Sequence, residues 1–98
     1  MQISLRLEAR LDIYEASLFY DRQSQGLGSK FVESIFQDFE RLGRTAGIHS
    51  RRGRFFRIFS EKFPYVICYD IQGVEIIVVA VLSCRMRPES IDGTLDER

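Results

Sequence analysis

Arg41, Arg44, Arg51, Arg52, Arg54 and Arg57 crowd into residues 41–60, a stretch without a single acid, and Arg85 and Arg87 follow near the C-terminus. Guanidinium groups at this density suit phosphate oxygens and other anions, which they hold through forked, charge-assisted hydrogen bonds. The overall charge hides the block, because 14 basic and 14 acidic side chains cancel. Residues 1–40 carry four bases and seven acids, and residues 61–98 again carry four and seven, so balances of −3, +6 and −3 follow one another. Two readings of the strip stand side by side: a surface for an anionic target, and a strand face pairing with the acid-rich flanks. Phe55, Phe56 and Phe59 interleave with these arginines as in a base-stacking platform. Strand alternation sends at least one of the two faces into a core, so packing is their first role.

Residue types for other chemistry are sparse. His49 is the only histidine, and neither CxxC nor HxxxH spacing occurs, so no metal set is expected. No cofactor is implied. Cys84 has no histidine nearby in sequence to activate it. Cys68 and Cys84 read as two buried thiols of a cytoplasmic protein, and His49 as a solvated loop residue. No basic segment followed by an apolar one opens the chain, and no apolar run reaches the ~18–20 residues of a membrane span.

The elements that must position these residues follow from periodicity. Gln2 to Glu8 alternates Ile3, Leu5 and Leu7 with polar partners, a half-buried strand. Ala9, Ile13, Ala16 and Tyr20 then recur at helical spacing, and the pattern predicts a helix from Ala9 to Gln25 that Gly26 ends. Leu11, Tyr14 and Leu18 widen its apolar face, so this helix is expected to be covered on more than one side. Gly28-Ser29 is placed to cap a second helix that carries Phe31, Ile35, Phe39 and Leu42 on one stripe and stops at Gly43. Thr45 to Ser50 reads as a loop. Arg51 to Ser60 reads as one strand, with Arg54, Phe56 and Ile58 on one face and Phe55, Arg57 and Phe59 on the other. Glu61 to Pro64 turns the chain into a strand from Tyr65 to Ile71. Gln72-Gly73 turns it again into Val74 to Leu82, whose Ile and Val run suits a central strand buried on both faces. From about residue 89 the chain is a polar tail with Ile91 and Leu95 as its only anchors. The order β-α-α-β-β-β defines one α+β domain over residues 1–98, a helical hairpin packed on a small, mostly antiparallel sheet.

Five features together resemble the RelE/ParE superfamily of toxins from type II toxin–antitoxin modules. They are the element order β-α-α-β-β-β itself, Asp12-Ile13-xx-Ala16-xxx-Tyr20, Gly26-Leu27-Gly28-xx-Phe31, Phe63-Pro64-Tyr65-x-Ile67-x-Tyr69, and the ending Ala80-Val81-xxx-Arg85-x-Arg87-Pro88. The resemblance runs from about Ile3 to Pro88. It implies a cognate antitoxin partner whose extended or helical segment wraps the toxin, and one of two kinds of target. RelE-like members are ribosome-dependent endoribonucleases that cut messenger RNA. ParE-like, plasmid-stabilisation members are associated with DNA gyrase and growth inhibition.

The RelE-like branch places an arginine in the third strand and a late tyrosine or histidine, and this chain departs from both. Val66 stands at or next to the arginine position, no tyrosine follows Tyr69, and Ser83 or Cys84 stands where a histidine is common. Cleavage through the 2′-hydroxyl needs a base, an acid and phosphate stabilisation. Arginine supplies only the last. The leading expectation is therefore a ParE-like toxin without chemistry of its own, with Arg51, Arg52, Arg54, Arg57, Arg85 and Arg87 as anion or target contacts. The alternative is an endoribonuclease working through Arg54, Arg57 and Arg85, and a third reading is a non-toxic homologue that only binds antitoxin. Phe63, Tyr65 and Tyr69 share one parity on a strand apolar on both sides. The hairpin covers one side only, so these three are expected to form an apolar face for a partner.

Overall fold

Eight elements follow one another in the computed structural model, which describes all of residues 1–98. They are β1 (Gln2–Leu5), α1 (Leu7–Gln23), α2 (Leu27–Thr45), β2 (Arg51–Arg52), β3 (Phe55–Phe59), β4 (Tyr65–Gln72), β5 (Glu75–Ser83) and α3 (Pro88–Asp96). The strands form one sheet in the order β1-β5-β4-β3-β2, in which only β1 and β5 run parallel. The α+β architecture expected from periodicity is present: Ala9, Ile13 and Ala16 of α1 and Phe31, Ile35, Phe39 and Leu42 of α2 pack on one face of the sheet.

Several boundaries move, each for a local reason. β1 stops at Leu5, because the Arg6 amide donates to the Val78 carbonyl while the Arg6 carbonyl already accepts the first helical bond from Arg10. Leu7 thus belongs to α1 and is exposed. Gly26, at φ +87°, is the residue that starts α2, and α1 has already ended at Ser24, whose amide bonds to Tyr20. Gly28 lies inside α2 and is there for space: a Cβ would stand 2.3 Å from the Ser17 carbonyl oxygen of α1. Its amide donates to the Asp21 carboxylate at 2.8 Å, closing the hairpin. Gly43 does not end α2, which continues to Thr45. The single strand expected from Arg51 to Ser60 is a tight hairpin, β2 and β3, turned at Gly53-Arg54 with Gly53 at φ +62°.

The C-terminal tail is the main correction. Pro88 at the first helical turn, where its missing amide costs nothing, opens α3. Ile91 and Leu95, four residues apart, close over Phe55, Val66, Cys68, Val79, Ala80 and Leu82 on the face opposite the hairpin. The sheet is therefore covered on both sides, and the apolar partner face assigned to Phe63, Tyr65 and Tyr69 does not exist as a free surface. Tyr65 and Tyr69 are buried under the hairpin, and Phe63 packs against the same cluster. The physical reason is simple: alternation gives two apolar faces, and a helix that reads as a tail covers the second. Cys68 is buried as expected, whereas Cys84 is exposed in the turn after β5.

Between Cys68 and Tyr69 the β4–β5 register shifts, with Cys68 opposite Ala80 and Tyr69 opposite Val78. Val79 is the extra residue of this bulge. Its parity changes there, so Ile76, Val78 and Val81 face the hairpin while Val79, Ala80 and Leu82 face α3. The outer backbone of the bulge is satisfied by side chains from opposite ends of the chain. Asp12 of α1 accepts from the Val81 amide at 3.0 Å, and Arg98 donates to the Val79 carbonyl at 2.8 Å. The two side chains hold each other through a forked pair, at 2.8 and 3.0 Å. Both are largely buried, 14% and 13% exposed. The Asp12 carboxylate, hydrogen-bonded to Arg98, holds that guanidinium above its ordinary pKa.

α1 is apolar on two opposite sides. Ala9, Ile13 and Ala16 are buried, while Leu7, Leu11, Tyr14 and Leu18, at spacings of four, three and four, are exposed. At 100° per residue the two stripes lie roughly half a turn apart. The second covering expected for this helix is not supplied by the chain itself.

Candidate functional site

The arginine strip divides between two faces. Arg51 pairs in register with Phe56, and its guanidinium lies 4.1 Å from the centre of the Phe56 ring, on the hairpin side. Arg52 and Arg57 project to the α3 side. Arg52 is held there, donating to the Asp92 carboxylate at 2.8 Å and to the Pro88 carbonyl at 3.2 Å. Arg57 sits in register between Ser50 and Cys68, and its Nε is enclosed without a hydrogen-bond partner. Arg54 occupies the β2–β3 turn, exposed, with its guanidinium over Phe55. Arg85 follows β5 and Arg87 precedes α3, both exposed and free of ion pairs.

Arg54, Arg57 and Arg85 consequently stand at three separate places. Arg57 lies opposite Cys68 and, through it, Ala80, whereas Arg85 comes after the strand has ended at Ser83. Arg57 acts electrostatically on Cys68 together with Arg52 and Arg98, but burial prevails and pushes the Cys68 thiol up to about 11. That thiol stays protonated near neutral pH and is no nucleophile. Burial also raises Cys84. Arg85 influences a different pair, Tyr20 and Tyr65, both raised chiefly by burial and lowered somewhat by its charge.

His49, read as a solvated loop residue, is tied into the fold. Its Nδ1 lies 2.6 Å from the Tyr69 hydroxyl and its Nε2 3.4 Å from Thr45 Oγ1. Gly47 donates its amide to the Tyr69 oxygen, and Thr45 donates its hydroxyl to the Arg41 carbonyl. An arrangement consistent with these contacts has Tyr69 donating to Nδ1 and the proton on Nε2 pointing to Thr45. Burial, with the Arg41 charge as a lesser cause, lowers the His49 pKa. A lowered pKa means the unfolded chain takes up the proton first, so this contribution to stability is full above about 6.5 and is lost as pH falls through the folded value. His49→Gln is expected to flatten the stability profile between pH 7 and pH 5, read by urea midpoints at each pH.

The residues from Ile3 to Pro88 also match a family as a whole. Residues 3–88 match the family model described as ParE toxin of type II toxin–antitoxin system, parDE. The chain belongs to the ParE toxin family. A solved structure of the chromosomal ParDE TA system from P. aeruginosa shares the fold of this ParE-family chain at a TM-score of 0.74 and 17% identity, over 85% of this chain and 95% of that one. No curated protein sequence matches. No helix of this ParE-family chain is long and apolar enough to cross a membrane.

Family membership gives a place to the motifs noted in the sequence. Asp12 is the clamp on the β5 bulge, Gly28 the contact point of the hairpin, and Tyr20, Phe31, Phe63 and Tyr65 form one aromatic cluster with ring centroids 4.9–6.1 Å apart. Arg52 is the site candidate whose environment sequence could not supply, because α3 holds it. Asp92, the acid that holds Arg52, lies outside the family match.

Proposed function

We propose that this ParE-family toxin arrests growth by binding a macromolecular target, DNA gyrase by family resemblance, without chemistry of its own, and that a cognate antitoxin neutralises it. Membership of the family over residues 3–88 carries the reading. The arrangement of the arginines supports binding over catalysis: Arg54, Arg57 and Arg85 do not converge, and the one histidine is engaged with Tyr69 and Thr45. Arg51, Arg54, Arg85 and Arg87 are the cations left exposed for a target, while Arg52 and Arg57 lie half-buried, Arg52 held by α3.

Induced expression of the chain is expected to stop growth with a loss of plasmid supercoiling, and co-expression with the adjacent reading frame to relieve both. Intact supercoiling beside cut, ribosome-bound messenger RNA would instead identify an endoribonuclease. Unaffected growth with a co-purifying partner would identify a non-toxic homologue.

A further inference from the structure

A groove of about 420 Å³ runs between α1 and the outer edge of the last third of β5. β1 covers that edge only from Glu75 to Val78, and the chain then departs through Arg6 into α1. Beyond it, Asp12 and Arg98 occupy the Val81 amide and the Val79 carbonyl. The next groups are free. Val81 and Ser83 stand opposite Ile67 and Tyr65, while the intervening Leu82 faces Val66 and Cys84 donates to the Pro64 carbonyl. Backbone direction alternates along a strand, so the Val81 carbonyl and the Ser83 amide point away from β4. The Ser83 carbonyl is already taken by the Met86 amide.

This pattern favours one direction for an added strand, the one in which a single incoming residue has both its amide and its carbonyl paired. An antiparallel neighbour exchanges both bonds with the amide and carbonyl of one residue, and at Val81 and at Ser83 one member of each such pair is occupied. A parallel neighbour instead gives its amide to one residue and takes the amide of the residue two positions on. The Val81 carbonyl and the Ser83 amide are that pair. The direction is the one β1 already follows on β5.

Charge sets the end of the groove. Arg85 makes no ion pair, and the Tyr20 and Tyr65 hydroxyls beside it, on rings 6.1 Å apart, have no acceptor within the molecule. Three donors without acceptors suit a carboxylate. The groove's own acids lie toward its other end, Asp12 neutralised by Arg98 and Glu15 exposed on the rim. Ala16, Phe19 and Met86 supply the apolar wall between.

We infer that an extended segment of a protein partner adds to the free edge of β5 as a short parallel strand, with an acidic side chain of that segment held by Arg85, Tyr20 and Tyr65. Main-chain bonds to an open edge supply affinity, and the side-chain pocket supplies selectivity. The inference rests on the antitoxin reading above and names the place and direction of the contact.

The probes are the protein encoded by the adjacent reading frame and overlapping synthetic 12-residue peptides that tile it. Binding is expected to slow hydrogen exchange at the Ser83 amide at least about tenfold in the full-length chain. Arg85→Glu is expected to weaken binding by about tenfold or more, while Arg87→Glu, the same charge change outside the groove, changes it by less than about threefold. Ser83→Pro removes the outward amide and leaves the β4 ladder intact, and it is expected to act like Arg85→Glu. A spin label at the C-terminal end of the bound peptide is expected to broaden resonances near Arg85, and one at its N-terminal end those near Asp12. Binding that both groove variants leave unchanged, or reversed label positions, overturns this inference and leaves the antitoxin reading standing. A wild-type chain that binds neither protein nor peptide overturns both. Arg85-dependent binding of a single-stranded 12-nucleotide RNA, with peptide binding unaffected, also overturns it.

Discussion

Replacing Asp12 by alanine is expected to destabilise the chain by about 3 kcal/mol, because it leaves buried groups of β5 without partners. The Val81 amide loses its only acceptor, and Arg98 loses the forked pair that holds it over the Val79 carbonyl. Val79 and Val81 are almost wholly buried, so water from the neighbouring groove replaces these bonds poorly. For a domain of this size the melting temperature is expected to fall by roughly 15 °C, measured by circular dichroism. Arg98→Ala is expected to cost less, about 2 kcal/mol, since Asp12 keeps the Val81 amide. The double variant is expected to be no worse than Asp12→Ala alone. Additive losses would mean that the two side chains act independently and that the clamp is not one unit.

The second large effect is expected at Phe31. Its ring is fully buried and meets Phe63 edge-on at 5.2 Å and Tyr65 at 4.9 Å, with Tyr20 tilted against it at 5.2 Å. Phe31→Ala removes the centre of this cluster and leaves a cavity between α2 and the start of β4, at a cost of about 4 kcal/mol. Set against the 5–15 kcal/mol typical of small domains, that is enough to populate the unfolded chain at equilibrium. The urea midpoint is expected to drop with little change in slope, since the surface exposed on unfolding is nearly the same. Phe31→Leu is expected to recover more than half of the loss. A variant as stable as the parent would show that the hairpin repacks freely at this point.

Much of the fold is legible in local pattern. The change from a period of two to one of 3.6 after residue 8 announces the hairpin, and the Ile-Val run of β5 announces a central strand. The parity assigned to Phe55, Phe56, Arg57 and Ile58 agrees with their packing. Two features escape such reading. α3 is a nine-residue helix containing Pro88 and Gly93, with only Ile91 and Leu95 to mark its face, and a pattern that short does not separate helix from tail. Its absence from the reading made the second sheet face look vacant, which is why Tyr65 and Tyr69 were expected to meet a partner. The Asp12–Arg98 clamp joins residues 86 positions apart, and no local pattern encodes such a contact. The candidate cations were legible as types. Their separation into Arg51 on one face and Arg52 and Arg57 on the other follows from a hairpin turn at Gly53 that a continuous strand reading passes over.

The bulge at Val79 also bears on how this sequence tolerates change in length. A β-strand ordinarily loses its pattern when one residue is removed, because every later side chain turns to the opposite face. Here Val79 and Ala80 already face the same side in succession. Removing either one restores strict alternation from Ile76 to Ser83 and leaves each remaining side chain on the face it now occupies. β5 thus carries a spare position, a point where the most buried strand of the molecule can shorten without turning inside out.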